Sequence, residues 1–205
     1  MRRQYSPPRS RSAYTLLELL LALAVMAVLA GVTIPSALRM YADSKLTDAA
    51  EKVRSMLGQA RMHAITTGER FQFRYEKDGR YFLQVPLEVP APVDASTTGI
   101  VMMPRPKSTL GELPVGLHFT TENAKLIQPG APTGLPLNPD LLSDLPNSKD
   151  LASSDWSDAI VFAEDGSAVD AAWLVVDSRK QAVPVEVRGL TGAATIAPMF
   201  SFKDR

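Results

Sequence analysis

The sequence predicts an α+β chain in which one long N-terminal helix precedes an antiparallel β-sheet domain. Three observations predict it. A 20-residue uncharged apolar run lies near the start, an amphipathic stripe of helical spacing follows it, and strand-and-turn patterns fill most of the remainder. With 205 residues, the chain suffices for one modest globular domain plus an apolar segment, but not for two large domains.

The apolar run is Leu19 to Leu38, LLLALAVMAVLAGVTIPSAL. At about 1.5 Å per residue it spans about 30 Å, the thickness of a bilayer's hydrocarbon core. A secretory signal peptide also begins with basic residues and an apolar run. Its core is typically about 7–15 residues and is followed by a small-residue cleavage site, and neither holds here. Arg2-Arg3 lies too close to the N-terminus for a twin-arginine signal, and Pro7-Pro8 is a poor lead-in to an apolar core.

The formal net charge is zero, but it is unevenly spread. Residues 1–13 carry Arg2, Arg3, Arg9 and Arg11 with no acid, which leaves 18 basic against 22 acidic side chains in the rest. The basic start favours the cytoplasmic side of a membrane and places residues 39 onward outside it. A mildly acidic body argues against nucleic acid as a partner, because phosphate contacts need clustered Lys and Arg. The chain has no cysteine, which removes disulfides, thiolate chemistry and Cys-based metal sites.

Glu18 stands inside the otherwise apolar stretch Tyr14–Leu21. An acidic side chain deep in a bilayer costs about 2.5–3.5 kcal/mol, so such a residue usually has a partner and a function. A plain anchor gains nothing from it.

After Pro35, Leu46, Ala50, Val53, Leu57, Ala60 and Ala64 recur at spacings of four and three, one stripe of a helix. Gly68 supplies a C-terminal cap, so the helix is expected from about Tyr14 to about Thr66. Fewer than four heptads are available for a coiled coil, and the stripe is expected to pack against its own domain. Residues 70–75 and 80–85 alternate polar and apolar around the turn Glu76-Lys77-Asp78-Gly79, a hairpin. Eleven of the 16 prolines fall between Pro86 and Pro146, which marks a loop-rich middle with short strand candidates at Ile100–Met103 and Gly116–Thr120. Strand patterns resume at Ala159–Phe162, Ala172–Val176, Pro184–Arg188 and Ala194–Ala197.

Ala13-Tyr14-Thr15-Leu16-Leu17-Glu18-Leu19-Leu20 resembles the class III signal of type IV prepilins and pseudopilins. The resemblance implies cleavage by a prepilin peptidase between Ala13 and Tyr14, N-methylation of Tyr14, and a Glu at the fifth mature position, which is Glu18. It also makes Pro35 the twenty-second mature residue, where many members carry a helix-kinking proline. The family usually has Gly before the cut and Phe after it, where this chain has Ala13 and Tyr14. In that family the methylated amine of one subunit compensates the buried glutamate of its neighbour, which favours subunits that enter the filament in register.

The body resembles the minor pseudopilin H (GspH/FimT) group. The resemblance lies in Gln59-Ala60-Arg61-Met62-His63-Ala64-Ile65, in Ile160-Val161-Phe162-Ala163-Glu164-Asp165-Gly166, and in Val185-Glu186-Val187-Arg188-Gly189-Leu190-Thr191-Gly192. With the N-terminus these stretches span a little over half of the chain. The resemblance implies a leader at 1–13, a transmembrane and filament-core helix at 14–38, its amphipathic continuation at 39–68, and a periplasmic β-rich domain at 69–205. That domain carries a Pro-rich insertion at about 86–158, read as an elaboration of this chain's own. It further implies a type II secretion role at the inner membrane, with other pseudopilins, the peptidase, the secretion platform and membrane lipid as partners. A minor pilin of a type IV pilus uses identical processing. A single-span anchored exoplasmic domain that never polymerises is the reading from another class.

Enzyme chemistry finds little support, and no cofactor is called for. Two histidines, His63 and His118, cannot make a His-rich metal site. Glu164-Asp165-Gly166 offers too few oxygens for calcium and reads as a hairpin turn, and Asp140, Asp144 and Asp150 are too sparse to add to it. Gly189-x-x-Gly192 is likewise a turn and not a phosphate cradle, and Trp156 and Trp173 read as core or interface residues.

Overall fold

The stripe on the long helix is the surface on which both sheets of the domain are laid. The structure, a computed structural model, describes residues 15–88, 108–120 and 135–201. Helix α1 runs from Leu16 to Thr67. The chain divides into two compact units with the boundary between Ala42 and Asp43, inside this helix.

In the first unit α1 is apolar on every side, with a mean hydropathy of 2.5 over its most apolar stretch and none of that stretch buried. Leu20, Leu23 and Leu29 are each more than half exposed. Pro35 lies inside the helix. Its ring has no N–H to offer the Gly31 carbonyl, so the ladder is one bond short there. The Thr33 hydroxyl donates to the Leu29 carbonyl at 2.8 Å in the turn before it.

In the second unit the same helix buries one face. Leu46, Ala50, Val53, Leu57, Ala60 and Ala64 are fully buried, with Ala49 and Met56 beside them. Gly68 ends the helix in the left-handed region at φ +67°, and its N–H donates to the Ala64 carbonyl at 3.0 Å. Lys45 and Lys52 lie off the stripe and donate to the carbonyls of Val115 and Glu112.

Two antiparallel sheets cover that face. The first contains β1 (Phe71–Tyr75), β2 (Tyr81–Pro86), β3 (Thr109–Glu112) and β5 (Ile160–Phe162) in the order β3-β2-β1-β5. The second contains β4 (Leu117–Thr120), β6 (Ala171–Asp177), β7 (Gln181–Arg188) and β8 (Ala193–Ile196) in the order β4-β6-β7-β8, with β9 (Phe200–Ser201) also on β7. Alternation sorts the side chains. Phe71, Phe73, Phe82, Ile160 and Phe162 from the first sheet meet Trp173, Val175, Val183, Val185 and Val187 from the second around the helix stripe. The Trp173 ring stacks on Phe73 and Tyr75, with centroids 5.8 and 5.3 Å apart. Pro184 is tolerated inside β7 because β8 pairs only as far as Val185 and β9 only from Ala182, leaving a gap where its missing N–H would fall.

The hairpin β1–β2 is the one the alternation implies, with Tyr75 opposite Phe82. Its polar face, however, is not solvated. Every residue of β1 is buried, Gln72 and Arg74 included. The covering comes from residues 135–158, which include a 3-10 turn at Pro139–Leu142 and helix α2 at Ser148–Ser153. Leu141, Leu142, Leu145 and Leu151 from this layer pack on Leu83 and Val85 of β2. Part of the Pro-rich middle is therefore a covering layer with its own core. It also supplies β3, which the alternation did not reveal, and β4, which it did. The strand candidate Ile100–Met103 lies outside the described residues.

Arg74 ties the layer to the sheet. Its Nε donates to Gln72 Oε1 at 2.9 Å, and its η nitrogens donate to the carbonyls of Ser157 and Leu135. The Ser157 hydroxyl accepts from the Tyr75 N–H at 3.1 Å, and the Ser157 N–H donates to the Tyr75 carbonyl at 2.8 Å. Burial lowers the Arg74 pKa from its ordinary value, partly opposed by Asp158.

Burial, reinforced by Asp158 and Asp78, pushes the Tyr75 hydroxyl up to about 12 from its ordinary value of 10.0. The folded state thus holds this proton more tightly than the unfolded state does. The contribution is fully present below pH 10 and is lost as pH rises toward 12. At ~1.36 kcal/mol per unit, raising the pH through that window should cost the native chain about 2–3 kcal/mol of stability. Chemical denaturation of the Tyr75→Phe variant at pH 9 and pH 12 should show a correspondingly smaller loss, and an equal loss would contradict the assignment.

Candidate functional site

The sequence points to two places, one at each end of α1, and each belongs to one compact unit.

At the first, Ala13 and Tyr14 lie outside the described residues. Thr15 is the residue before the helix, and its hydroxyl accepts from the Glu18 N–H at 3.3 Å. Its carbonyl accepts from the Leu19 N–H at 3.2 Å. Glu18 is the acidic residue of the helix's first turn and is followed by exposed apolar side chains. An acid in a first turn faces the positive end of the helix macrodipole, a favourable place. Among the described residues no ion pair involves Glu18.

At the second, the three body motifs come together. Arg61 Nε donates to the Gly166 carbonyl at 3.0 Å, joining the helix to the turn after β5. That turn is bonded to the one between β7 and β8. The Ala168 N–H donates to the Gly189 carbonyl at 2.7 Å, and the Gly189 N–H donates to Asp170 Oδ1 at 2.6 Å. Gly192 closes the junction at φ +60°, and a Cβ there would collide with the Gly166 carbonyl oxygen and stand 3.1 Å from Arg61 Cδ. The residues that carry the body resemblance are thus one physical contact between a helix end and two turns.

The other residues singled out by sequence have ordinary structural roles. Asp165 Oδ1 accepts from the Ser167 N–H at 2.9 Å and from the Ser167 hydroxyl at 2.6 Å, bonds that hold its carboxyl below the usual range. His63 lies 5.6 Å from the Phe71 ring, and Trp156 Nε1 donates to the Leu151 carbonyl at 2.7 Å. Among the described residues no group of three His, Asp or Glu side chains is placed to hold a metal.

The sequence reading missed the clamp at the start of the domain's helix segment. Arg179, in the β6–β7 turn, donates through Nη2 to Asp43 Oδ1 at 2.6 Å and through Nε to Asp177 Oδ2 at 2.8 Å. Asp177 Oδ1 in turn accepts from the N–H groups of Arg179 and Gln181. Asp43 first and Asp177 next raise the Arg179 pKa. The only signal in the sequence is the hairpin Asp177-Ser178-Arg179-Lys180, which gives no hint of a helix partner 136 residues away.

Replacing Gly192 by Ala should lower stability by about 1–3 kcal/mol through its left-handed φ, with the collision at Gly166 adding to the loss. Urea unfolding of the variant against the parent measures it, and a loss below about 0.5 kcal/mol, the range of a neutral surface change, would mean the junction is loose.

Residues 8–34 match the model of the prokaryotic N-terminal methylation motif. No curated protein matches the chain. Two solved structures of the minor pseudopilin EpsH from the type II secretion system of Vibrio cholerae are similar to it. One is 14% identical with a TM-score of 0.40 and covers 78% of this chain and 99% of that one. The other is 13% identical with a TM-score of 0.42 and covers 78% and 98%. At those scores the likeness adds nothing to the fold already described. The chain therefore carries a prokaryotic N-terminal methylation motif at the head of a long helix followed by antiparallel sheets.

Proposed function

We propose that this chain is a minor pseudopilin of a type II protein secretion system, a structural subunit and not an enzyme. In this reading a prepilin peptidase cuts between Ala13 and Tyr14, and Tyr14 is N-methylated. The apolar half of α1 then holds the protein in the inner membrane, with the N-terminus cytoplasmic and the β-rich domain periplasmic. Other pilin-like subunits join it in a short filament that drives export, and Pro35 supplies the kink in the helix.

The observation that carries the reading is the methylation motif at residues 8–34, which runs directly into an apolar helix with Glu18 in its first turn. A helix of that composition needs a bilayer or neighbouring helices to cover it. Its Ala22, Ala24, Ala27, Ala30 and Gly31 allow close helix approach in either setting. The segment can thus serve first as a membrane span and later as packed filament core. Glu18 supplies register, because a carboxylate removed from water without its cation costs several kcal/mol. The junction of Arg61 with Gly166 and Gly192 supports the H-type assignment, since it unites the stretches that resemble that group.

Mass spectrometry of the membrane-extracted protein should show a mature terminus at N-methyl-Tyr14, and retention of residues 1–13 would sink the reading. Glu18→Leu should be inserted and stable but should reduce incorporation into filaments by about tenfold or more, in line with the several kcal/mol lost with an unmatched charge. A variant that assembles normally would leave a plain membrane anchor as the better account.

A further inference from the structure

We infer that the groove along the exposed flank of α1 at Gly58 receives the acidic surface layer of a second copy of this chain. The groove, of about 400 Å³, runs between Arg54, Gly58, Met62 and Ile65 on the helix and Ala193–Ala194 on β8. Gly58 sits in the interior of a 52-residue helix, where glycine costs about 1 kcal/mol relative to alanine. Among the described residues a Cβ at Gly58 would meet nothing within 4 Å, so their packing does not require the glycine. Gly192 is the contrast, since there a Cβ strikes the chain itself. A bare helix surface that nothing internal uses is suited to close approach from outside.

The walls are apolar and cationic. Met62 and Ile65, adjacent on the helix, are 59% and 44% exposed and give the groove an apolar wall. Arg61 spends Nε on the Gly166 carbonyl, and its η nitrogens have no partner among the described residues. Arg54 is matched by Glu51 at 2.6 Å, and among the described residues no carboxylate lines the groove itself. β8 pairs with β7 on one side only among the described residues, and its Ala193 and Ala194 line the groove.

The chain carries the complementary surface. Residues 138–158 hold Asp140, Asp144, Asp150, Asp155 and Asp158 against the single Lys149. All five aspartates are exposed, and only Asp155 has an ion pair among the described residues, with Lys77. This layer covers the outer face of the first sheet, and none of its residues lines the groove. The Arg61 guanidinium in the groove on one part of the domain and the acidic layer on another make a heterologous contact between two copies. The inference goes beyond the secretion reading, because it needs two copies to meet and not the N-terminal processing.

The absence of native cysteine makes the test direct. Full-length chains carrying Ser55→Cys, on the groove wall, and Ser143→Cys, in the acidic layer, are co-expressed with different tags in membranes and oxidised. A mixed disulfide between the Ser55→Cys copy and the Ser143→Cys copy should dominate over either symmetric dimer. Its yield should fall about tenfold when Gly58→Leu is added to the Ser55→Cys copy, or Asp140→Asn with Asp144→Asn to the other. Gly58→Leu raises helix propensity, so a loss of cross-linking does not reflect unfolding. Four outcomes would each overturn the assignment: absence of the mixed dimer, a dominant symmetric dimer of Ser55→Cys copies, cross-linking of the Ser55→Cys copy to a different protein, or a yield indifferent to Gly58→Leu.

Discussion

One constraint orders this molecule: a single helix changes its solvent along its length. Residues 19–38 carry no charge and are apolar around the full circumference, whereas residues 43–67 are apolar on one stripe only. The stripe is narrow because Ala49, Ala50, Ala60 and Ala64 alternate with Leu46, Val53 and Leu57. Small residues let two sheets approach the helix closely, and the larger ones fill the space between them at about 1.5–3 kcal/mol apiece for full burial. Were the stripe interrupted, the inner faces of β1, β2, β6 and β7 would lose the one surface they share. The Arg179 clamp on Asp43 and the Arg61 junction with the two turns hold the domain to the helix near the two ends of that stripe.

Two polar side chains are buried in this core without a hydrogen-bond partner among the described residues, the Gln84 amide and the Trp173 indole N–H. Each such group costs about 1–3 kcal/mol. Gln84 follows Phe82 on the inward face of β2, where alternation leaves a polar residue no choice of side. The packing of Trp173 on Phe73 and Tyr75 offsets part of that cost through aromatic contact.

What was legible in the sequence follows the range of the interactions that made it so. The helix stripe, the cap at Gly68 and the hairpin at 76–79 are set by neighbours within a few positions, and periodicity reports them directly. The burial of Gln72 and Arg74 was not legible. Alternation of polar with aromatic residues normally means one wet face, and the layer that dries it comes from a segment about 80 residues later, with Ser157 bonded to Arg74 and Tyr75. The Pro-rich composition disguised that layer, because prolines at 136, 139 and 146 suit a chain that packs as turns and short helices instead of strands. At the site, the motifs were legible as separate strings. Their meeting at Arg61, 105 residues from Gly166, was not, because nothing local encodes it.

The position of Glu18 also sets a limit on what the helix alone can do for it. At the first turn, the macrodipole and the free N–H groups favour a carboxylate by about 0.3–1 kcal/mol at an exposed site, and by up to ~2 kcal/mol in partly buried geometry. Placing an acid within a bilayer costs about 2.5–3.5 kcal/mol on insertion scales, and the same charge packed among apolar helices costs several kcal/mol if left unmatched. The dipole therefore covers part of the penalty near the headgroups and falls short of it in a dry filament core. A second positive charge is required to make up the difference, and the apolar half of α1 offers few. The described residues from Thr15 to Leu38 contain no Lys or Arg, and the first is Arg39, roughly 30 Å along the helix from Glu18 at about 1.5 Å per residue. In the proposed filament that charge would come from the segment before the helix or from another molecule, and a methylated terminal amine on a neighbouring subunit would supply it.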